Sequence, residues 1–357
     1  MIALNNVAPQ HGPRPLPLFL SILWRETEND PELRQLALAG VRKYQEAIRP
    51  DQAGHVANFV AHGRAKLLHK GNAVSRANRS PVVLIPSLVN PPHILDLSPQ
   101  KSLVAYLAAR GHDPWLVDWG TPSAEDRGQS LADHVTHLLI PLLKKLDRPP
   151  ILAGYCLGGT LAIAAAPDTG AKAVVTIAAP WDFASYPAAD TKLITDLWTS
   201  SKQMCERLGY IPMEVLQSGF WALDPGRTIR KYAAFAEMAE GSAGAQAFIA
   251  VEDWANEGAP LTHRAGADLF EQFYAGNATG RGDWQVAGCA ARLSDLEMPS
   301  LSIKSSTDKI VPAAASPMLQ DNLELSLGHV GMIVSERAPD QLWKPLSDWL
   351  SIYDRSC

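Results

Sequence analysis

The chain has 357 residues, of which 46% are hydrophobic and 19% are charged, and its net charge is −5. This composition is typical of a folded globular protein and excludes extensive disorder, while the lack of a basic block argues against nucleic-acid binding. At this length we expect either two domains or one large domain with an insertion.

The N-terminal part is predicted to be helical. The stretch "PLPLFLSILW" is apolar, but it is short and interrupted by Pro17, so we expect no transmembrane segment and no signal peptide. We interpret it as a packing segment, with docking to a surface as the alternative. Residues 28–70 carry apolar residues at helical spacing after a candidate cap at Asn29 or Asp30. We therefore expect an N-terminal helical segment over residues 1–75.

Short runs that are apolar on both faces begin after residue 80, which is typical of strands in a buried parallel sheet. Helical stretches alternate with these runs and predict a doubly wound, mostly parallel α/β fold. The strand-like runs are "PVVLIP" (81–86), "PWLVDW" (114–119), "PPILAGY" (149–155), "AKAVVTIAAP" (171–180) and "PSLSIKSS" (299–306), and the helical stretches cover 98–111, 131–146 and 158–166.

The alternation breaks after Pro180, and the strand pattern returns only near residue 299. The intervening chain is rich in Trp and Met and helical in pattern. We expect an inserted, mainly helical cap over residues 182–288, and a core made of residues 76–181 and 289–357. Such a cap would cover the carboxyl edge of the sheet, where open α/β folds bind ligands. The alternative is a separate helical domain with no role at the site.

The stretch "GYCLGGT" places Cys156 between a predicted strand and a helix beginning near Gly158. This strand–turn–helix context, with flanking glycines, is that of a nucleophile elbow, and it makes Cys156 the candidate nucleophile. The amide of Leu157 would serve as one oxyanion donor, and the loop at Ser87 or Leu88 would supply a second. The alternative is a buried structural cysteine at a glycine-rich turn.

A cysteine nucleophile needs a base, and the base needs an orienting acid. Asp308 and His329 each follow a predicted strand, and they follow Cys156 in the order nucleophile, acid, histidine. This is the chain order of α/β-hydrolases, so we predict a Cys156–His329–Asp308 triad. The four cysteines are scattered with no CxxC pair, so we expect neither a disulfide framework nor a metal site, and a reducing, cytoplasmic location.

From about Pro81 to its C-terminus the chain resembles the polyhydroxyalkanoate synthases, and in length it resembles the catalytic subunit of their two-component class III. The resemblance implies an α/β-hydrolase fold, with Cys156 as acyl-carrying nucleophile, Asp308 as acid and His329 as base. The motifs that carry it are "NPPHILDLSPQKSLVAYLAARGHDPWLVDW", "GYCLGGT", "APWDF", "VEDWANEGAP", "FEQFYAGN", "DKIVP" and "GHVGMIVS".

The resemblance also implies a substrate, a product and partners. A 3-hydroxyacyl-coenzyme A thioester would be the substrate, with no further cofactor, and a polyester would be the product. A thiol suits this reaction because its acyl derivative is again a thioester and stays activated. Asp308 would either orient His329 or help to deprotonate the attacking hydroxyl. A second, non-catalytic subunit, a homodimer formed through the cap and a location at polyester granules are further expectations.

Two other functions are compatible with the same residues. A thioesterase, esterase or intracellular polyester depolymerase would use the same triad with water as the acceptor. A catalytically idle scaffold would keep the fold but carry an unreactive Cys156. The fate of the acyl group distinguishes such a hydrolase from a synthase. The absence of an acyl-enzyme would identify the idle scaffold.

Overall fold

The chain divides by its internal contacts into two units. The larger contains the described residues of His55–Met213 and Gly258–Cys357, and the smaller contains those of Met1–Gly54 and Glu214–Glu257. The computed structural model describes residues 12–49, 58–71 and 79–354.

Eight strands form the main sheet of the larger unit: β1 (Phe59–His62), β2 (Ala65–His69), β3 (Pro81–Ile85), β4 (Asp113–Asp118), β5 (Ile151–Tyr155), β6 (Ala173–Ile177), β7 (Ser300–Ser305) and β8 (Asp321–Leu325). Their order across the sheet is β1-β2-β4-β3-β5-β6-β7-β8. The β1–β2 and β2–β4 pairs are antiparallel, and all later pairs are parallel. The mostly parallel α/β sheet predicted from the sequence is therefore confirmed.

The central strands are built from residues that are apolar on both faces. Every residue of β3, β5 and β6 is buried, as a parallel sheet covered on both faces requires. Strands β3 to β7 occupy the five runs in which the sequence predicted strands. Because β5, β6, β7 and β8 run parallel, their carboxyl ends meet at one edge of the sheet.

The prediction of helix over residues 28–70 is wrong for its last part. Strands β1 and β2 form an antiparallel hairpin in which His62 pairs with Ala65, and Gly63 in the two-residue loop adopts φ +56°. Strand β2 also pairs with β4, with Lys66 opposite Asp118. The spacing of the apolar residues fits a helix, but hydrogen bonding between β2 and β4 favours a strand. Such pairing between distant segments is not visible in the local sequence.

Helices fill most of the chain between the strands, including all three stretches where the sequence predicted them and most of the insertion. They are α1 (Leu16–Glu26), α2 (Pro31–Glu46), α3 (Leu103–Ala109), α4 (131–143, with a π-helical middle), α5 (Leu157–Ala165), α6 (Ala188–Leu208), α7 (Met213–Leu223), α8 (Pro225–Glu237), α9 (Ala243–Asn256), α10 (263–275, ending in a π-helix), α11 (Gly331–Val334) and α12 (Lys344–Tyr353).

The smaller unit has its own aromatic core. The ring of Phe19 in α1 lies 5.0 Å from Tyr232 in α8 and 5.8 Å from Trp221 in α7. The middle of the predicted cap, residues 214–257, thus groups with the N-terminal helices. The predicted boundaries at 1–75, 76–181, 182–288 and 289–357 stay a prediction.

One face of the apolar N-terminal stretch packs into this core, as the packing interpretation predicted. Phe19, Ile22 and Leu23 are buried, whereas Leu20 and Trp24 are exposed. Among the described residues, the structure contains no helix with the length and apolar character needed to cross a membrane.

Candidate active site

Cys156 lies in a strained turn between β5 and α5. Its backbone has φ +54° and ψ −132°, a conformation that costs a residue with a side chain roughly 1–3 kcal/mol and is concentrated at functional sites. Its N–H donates to the carbonyl oxygen of Ile177 at 2.9 Å, which ties the turn to the end of β6. The side chain is only partly buried. The predicted nucleophile therefore sits where a reactive group is presented at the carboxyl edge of the sheet.

The glycines around Cys156 are required by close backbone approaches. A Cβ at Gly158 would lie 2.1 Å from the carbonyl oxygen of Ile85 and 2.5 Å from that of Pro86. A Cβ at Gly154 would lie 2.3 Å from Cα of Gly159. Such distances leave no room for any side chain, so the loop after β3 passes directly beside the first turn of α5.

Asp308 and His329 form a buried pair. Nδ1 of His329 lies 2.7 Å from Oδ2 of Asp308, and both residues are less than a tenth exposed. The other oxygen, Oδ1 of Asp308, accepts from the N–H groups of Ile310 (2.8 Å) and Val311 (3.1 Å). The carboxylate is thereby fixed from two sides, and it fixes the orientation of the imidazole.

Cys156 lies within electrostatic reach of His329, so the structure brings together the three residues that the sequence singled out. Burial by itself lowers the pKa of His329, but electrostatic interactions with Asp308 and Cys156 and the hydrogen bond to Asp308 raise it to about 10. The surroundings of the imidazole therefore favour its protonated form. Their roles as nucleophile, base and acid stay a prediction at this point.

The three predicted oxyanion residues lie on either side of the turn. Leu157 is the first residue of α5, and Ser87 and Leu88 follow β3 in the loop that approaches Gly158. Oγ of Ser87 accepts from the N–H of Val89 at 3.2 Å, so its hydroxyl serves to shape that loop. The oxyanion role of these residues also stays a prediction.

Sequence reasoning missed three tyrosines around this site. The ring of Tyr155 lies 5.1 Å from the imidazole of His329, and its hydroxyl donates to the His329 carbonyl oxygen at 3.2 Å. Burial raises the pKa of both Tyr186 and Tyr274 well above the usual range, and the charge of Cys156 contributes at each. A tyrosine in a strand, a loop or a helix carries no sequence signal that separates such positions from ordinary core residues.

A second histidine–aspartate pair exists away from this site. Nδ1 of His112 lies 2.6 Å from Oδ2 of Asp354, and Nε2 lies 2.8 Å from Oγ of Ser347. His112 and Asp354 are fully buried and Ser347 is 3% exposed, so no substrate reaches its hydroxyl. These hydrogen bonds join α12 and the residue that follows it to the residue preceding β4. Because all three side chains are buried, we assign them a structural role.

The fold is that of an α/β-hydrolase. A model of the alpha/beta hydrolase family matches residues 82–342, and the chain belongs to that family. A hydrolase structure from Pseudomonas aeruginosa PA01 superimposes with a TM-score of 0.52 at 16% identity, over 85% of this chain and 99% of that one, which supports the fold alone.

Within this family the chain is similar to proteins named poly(3-hydroxyalkanoate) polymerase subunit PhaC. The protein from Haloferax mediterranei is 28% identical over 94% of this chain and 72% of its own length. The protein from Allochromatium vinosum is 27% identical over 76% of this chain and 80% of its own length. The similarity therefore extends well beyond the residues of the site.

Proposed function

We propose that this protein is a polyhydroxyalkanoate synthase, an acyltransferase that joins 3-hydroxyacyl groups from coenzyme A thioesters into a polyester. The observation that carries the proposal is Cys156 in a strained turn between a strand and a helix, within electrostatic reach of a His329 that Asp308 holds in place. The similarity to PhaC polymerases over most of the chain supports the choice of reaction.

The first step would be thioester exchange. The sulfur of Cys156 attacks the carbonyl carbon of the substrate thioester, the bond from that carbon to the coenzyme A sulfur breaks, and His329 returns a proton to the departing thiolate. One thioester is consumed and one is formed, so the acyl group stays activated. A serine would form an oxygen ester of lower energy and lose the driving force for the next transfer. The amides of Leu157 and of Ser87 or Leu88 would stabilise the oxyanion.

The second step would lengthen the polymer. A 3-hydroxyl group attacks the acyl-enzyme, forms an ester and releases the sulfur of Cys156. The hydrogen bond from His329 Nδ1 to Asp308 supports an orienting role for Asp308, with His329 as the base. Direct help from Asp308 in deprotonating the hydroxyl is the alternative role. The buried surroundings of the pair would limit entry of water, which otherwise hydrolyses the acyl-enzyme.

The proposal includes a setting for the reaction. The substrate is the coenzyme A thioester and no further cofactor takes part. We expect a cytoplasmic protein that works at the surface of its own polyester granules, as a homodimer formed through the inserted region and together with a second, non-catalytic subunit. Nucleic acid is not among the expected partners.

Product analysis with 3-hydroxybutyryl-coenzyme A tests the proposal. We expect the purified protein to release coenzyme A and form insoluble polyester, and Cys156→Ala to form none. Release of coenzyme A with only free 3-hydroxybutyrate would instead identify a hydrolase. No acylation of Cys156 at all would identify an idle scaffold.

A further inference from the structure

Trp119 joins the end of one strand to the loop that follows the neighbouring strand. The residue comes directly after β4 and is 6% exposed, and its Nε1–H donates to the carbonyl oxygen of Pro86 at 3.0 Å. Pro86 comes directly after β3, which pairs in parallel with β4. The loop that begins at Pro86 contains Ser87 and Leu88, the two candidates for the second oxyanion donor. The indole of Trp119 is therefore in direct contact with that loop.

The acceptor of this hydrogen bond belongs to the peptide group that also contains the N–H of Ser87. The peptide is trans, so its carbonyl oxygen and its N–H point in opposite directions within one rigid plane. The carbonyl oxygen faces α5, since a Cβ at Gly158 would lie 2.5 Å from it. The N–H of Ser87 therefore points away from this packed contact. Any rotation of the plane that turned this N–H would break the hydrogen bond from the indole.

Two backbone N–H groups beside the turn at Cys156 find no carbonyl partner. Among the described residues, neither the N–H of Ser87 nor that of Leu157 donates to a backbone oxygen, although the two residues are only 9% and 3% exposed. In native structures roughly 90% or more of buried backbone N–H groups are paired, because an unpaired donor is costly. Two such donors on either side of a candidate nucleophile are what an oxyanion site requires.

The ring of Trp119 is itself held in place by a buried histidine. It meets the imidazole of His134 edge-on, with centroids 6.2 Å apart. Nδ1 of His134 lies 2.7 Å from the carbonyl oxygen of Ser130, and Nε2 lies 2.8 Å from the guanidinium of Arg64. Because a guanidinium only donates, Nε2 accepts and Nδ1 carries the proton. Burial lowers the pKa of His134 to about 4, so this support stays neutral near neutral pH.

A second buried indole offers a comparison. Trp343 is 4% exposed, and its Nε1–H donates to the carbonyl oxygen of Ile333 in α11, also at 3.0 Å. The two hydrogen bonds have the same donor, the same kind of acceptor and the same length. They differ in the acceptor's place, because the peptide that Trp343 contacts lies in a helix, whereas the peptide that Trp119 contacts carries a candidate oxyanion donor.

We propose that Trp119 is a positioning residue, whose indole fixes the Pro86–Ser87 peptide so that the N–H of Ser87 can bind the oxyanion formed when Cys156 is acylated. The inference rests on the part of the proposed function that makes Cys156 the acylated nucleophile, and it selects Ser87 over Leu88 as the second donor. Loss of one fixed oxyanion donor slows a reaction by about 10²- to 10³-fold. Loosening of the peptide leaves the N–H in place, so the expected loss is smaller, about 10- to 100-fold.

The test compares two reactions of Cys156 in Trp119→Phe, which keeps an aromatic ring but removes the N–H. Acylation passes through an oxyanion, whereas alkylation by iodoacetamide does not. We expect acylation by 3-hydroxybutyryl-coenzyme A and by p-nitrophenyl butyrate to slow about 10- to 100-fold, in kcat rather than KM, with alkylation unchanged. β-(3-Benzothienyl)alanine at position 119, which keeps the shape of the indole and lacks only its N–H, should give the same result.

Trp343→Phe is the matched control and should keep the unaltered ratio of acylation to alkylation. An unchanged ratio in both position-119 variants, an equal fall of both rates, or the same fall of the ratio in Trp343→Phe overturns the inference and leaves the synthase proposal standing. Acylation by p-nitrophenyl butyrate but not by 3-hydroxybutyryl-coenzyme A overturns the synthase proposal, and the ester then decides the role of Trp119. No acylation of Cys156 by either compound overturns both.

Discussion

Nδ1 of His329 and Oδ2 of Asp308 lie 2.7 Å apart, joining the loops that follow two neighbouring parallel strands. The two residues are 21 positions apart in sequence, and the parallel pairing of β7 with β8 brings them to the same edge as Cys156. The electrostatic consequence is an imidazole whose pKa is raised to about 10 despite its burial. Four predictions follow from this site and from the packing around it.

Asp308→Asn should lower the pKa of His329, because it removes a negative charge that favours the imidazolium. We also expect acylation of Cys156 to slow by about 10²- to 10⁴-fold, since the imidazole loses its orienting partner. Histidine NMR titration and rapid-quench acylation measure the two effects. The matched control is Asp340→Asn at an exposed position, which should change neither the pKa of His329 nor the rate of acylation. An unaltered His329 titration in Asp308→Asn would contradict the assignment.

Stability should fall as the pH rises from about 6.5 towards 10. The folded-state pKa of His329 is raised from 6.5 to about 10, so the folded protein holds this proton more tightly than the unfolded chain does. The stabilisation is fully present below pH 6.5 and is lost as the pH passes through 10. Denaturant titrations across this range should show a steeper decline for the unaltered protein than for His329→Phe. Equal slopes for the two proteins would be inconsistent with the raised pKa.

Gly158→Ala should destabilise the protein and inactivate it together. The added methyl would overlap the carbonyl oxygens of Ile85 and Pro86, so the loop after β3 must move, at a cost of about 1–3 kcal/mol. Gly128→Ala is the matched control, since nothing lies within 4 Å of its Cβ position. Thermal unfolding and Cys156 acylation provide the readouts. Retention of both stability and activity in Gly158→Ala would refute the close approach.

His112→Ala should cost stability without affecting the chemistry of the site. The variant removes one hydrogen bond to the buried Asp354 carboxylate, which keeps its ion pair with Arg79, and we expect a loss of about 1.5–3 kcal/mol. Ser347→Ala removes a single hydrogen bond to the same histidine and should cost about 1 kcal/mol. Both variants should acylate Cys156 at the normal rate at temperatures where they stay folded. A specific loss of acylation in folded Ser347→Ala would mean that this constellation also takes part in the reaction.

The features that could be predicted from the sequence are those with a strong local sequence pattern. Cys156 stands between glycines after an apolar run, and Asp308 and His329 each follow a strand, so their chain order predicted that they would meet. The hydrogen bond between His329 and Asp308 agrees with that prediction. The strands β3 to β7 were predictable for the same reason, because residues buried on both faces leave a continuous apolar run.

The features of the fold that could not be predicted from the sequence depend on contacts between distant segments. The hairpin of β1 and β2 has apolar spacing that a helix would share, and its pairing with β4 decides between them. Likewise, nothing local to residues 214–257 indicates that they group with the N-terminal helices.

The most direct test of the account is the mass of Cys156 during turnover. The protein is mixed with 3-hydroxybutyryl-coenzyme A, quenched in acid within the first turnovers and digested for peptide mass spectrometry. The account predicts a thioester-linked 3-hydroxybutyryl group, or a short oligomer of it, on the peptide that contains Cys156, and none in Cys156→Ala. Coenzyme A release with an unmodified Cys156, or an acyl group attached to another residue, would contradict it.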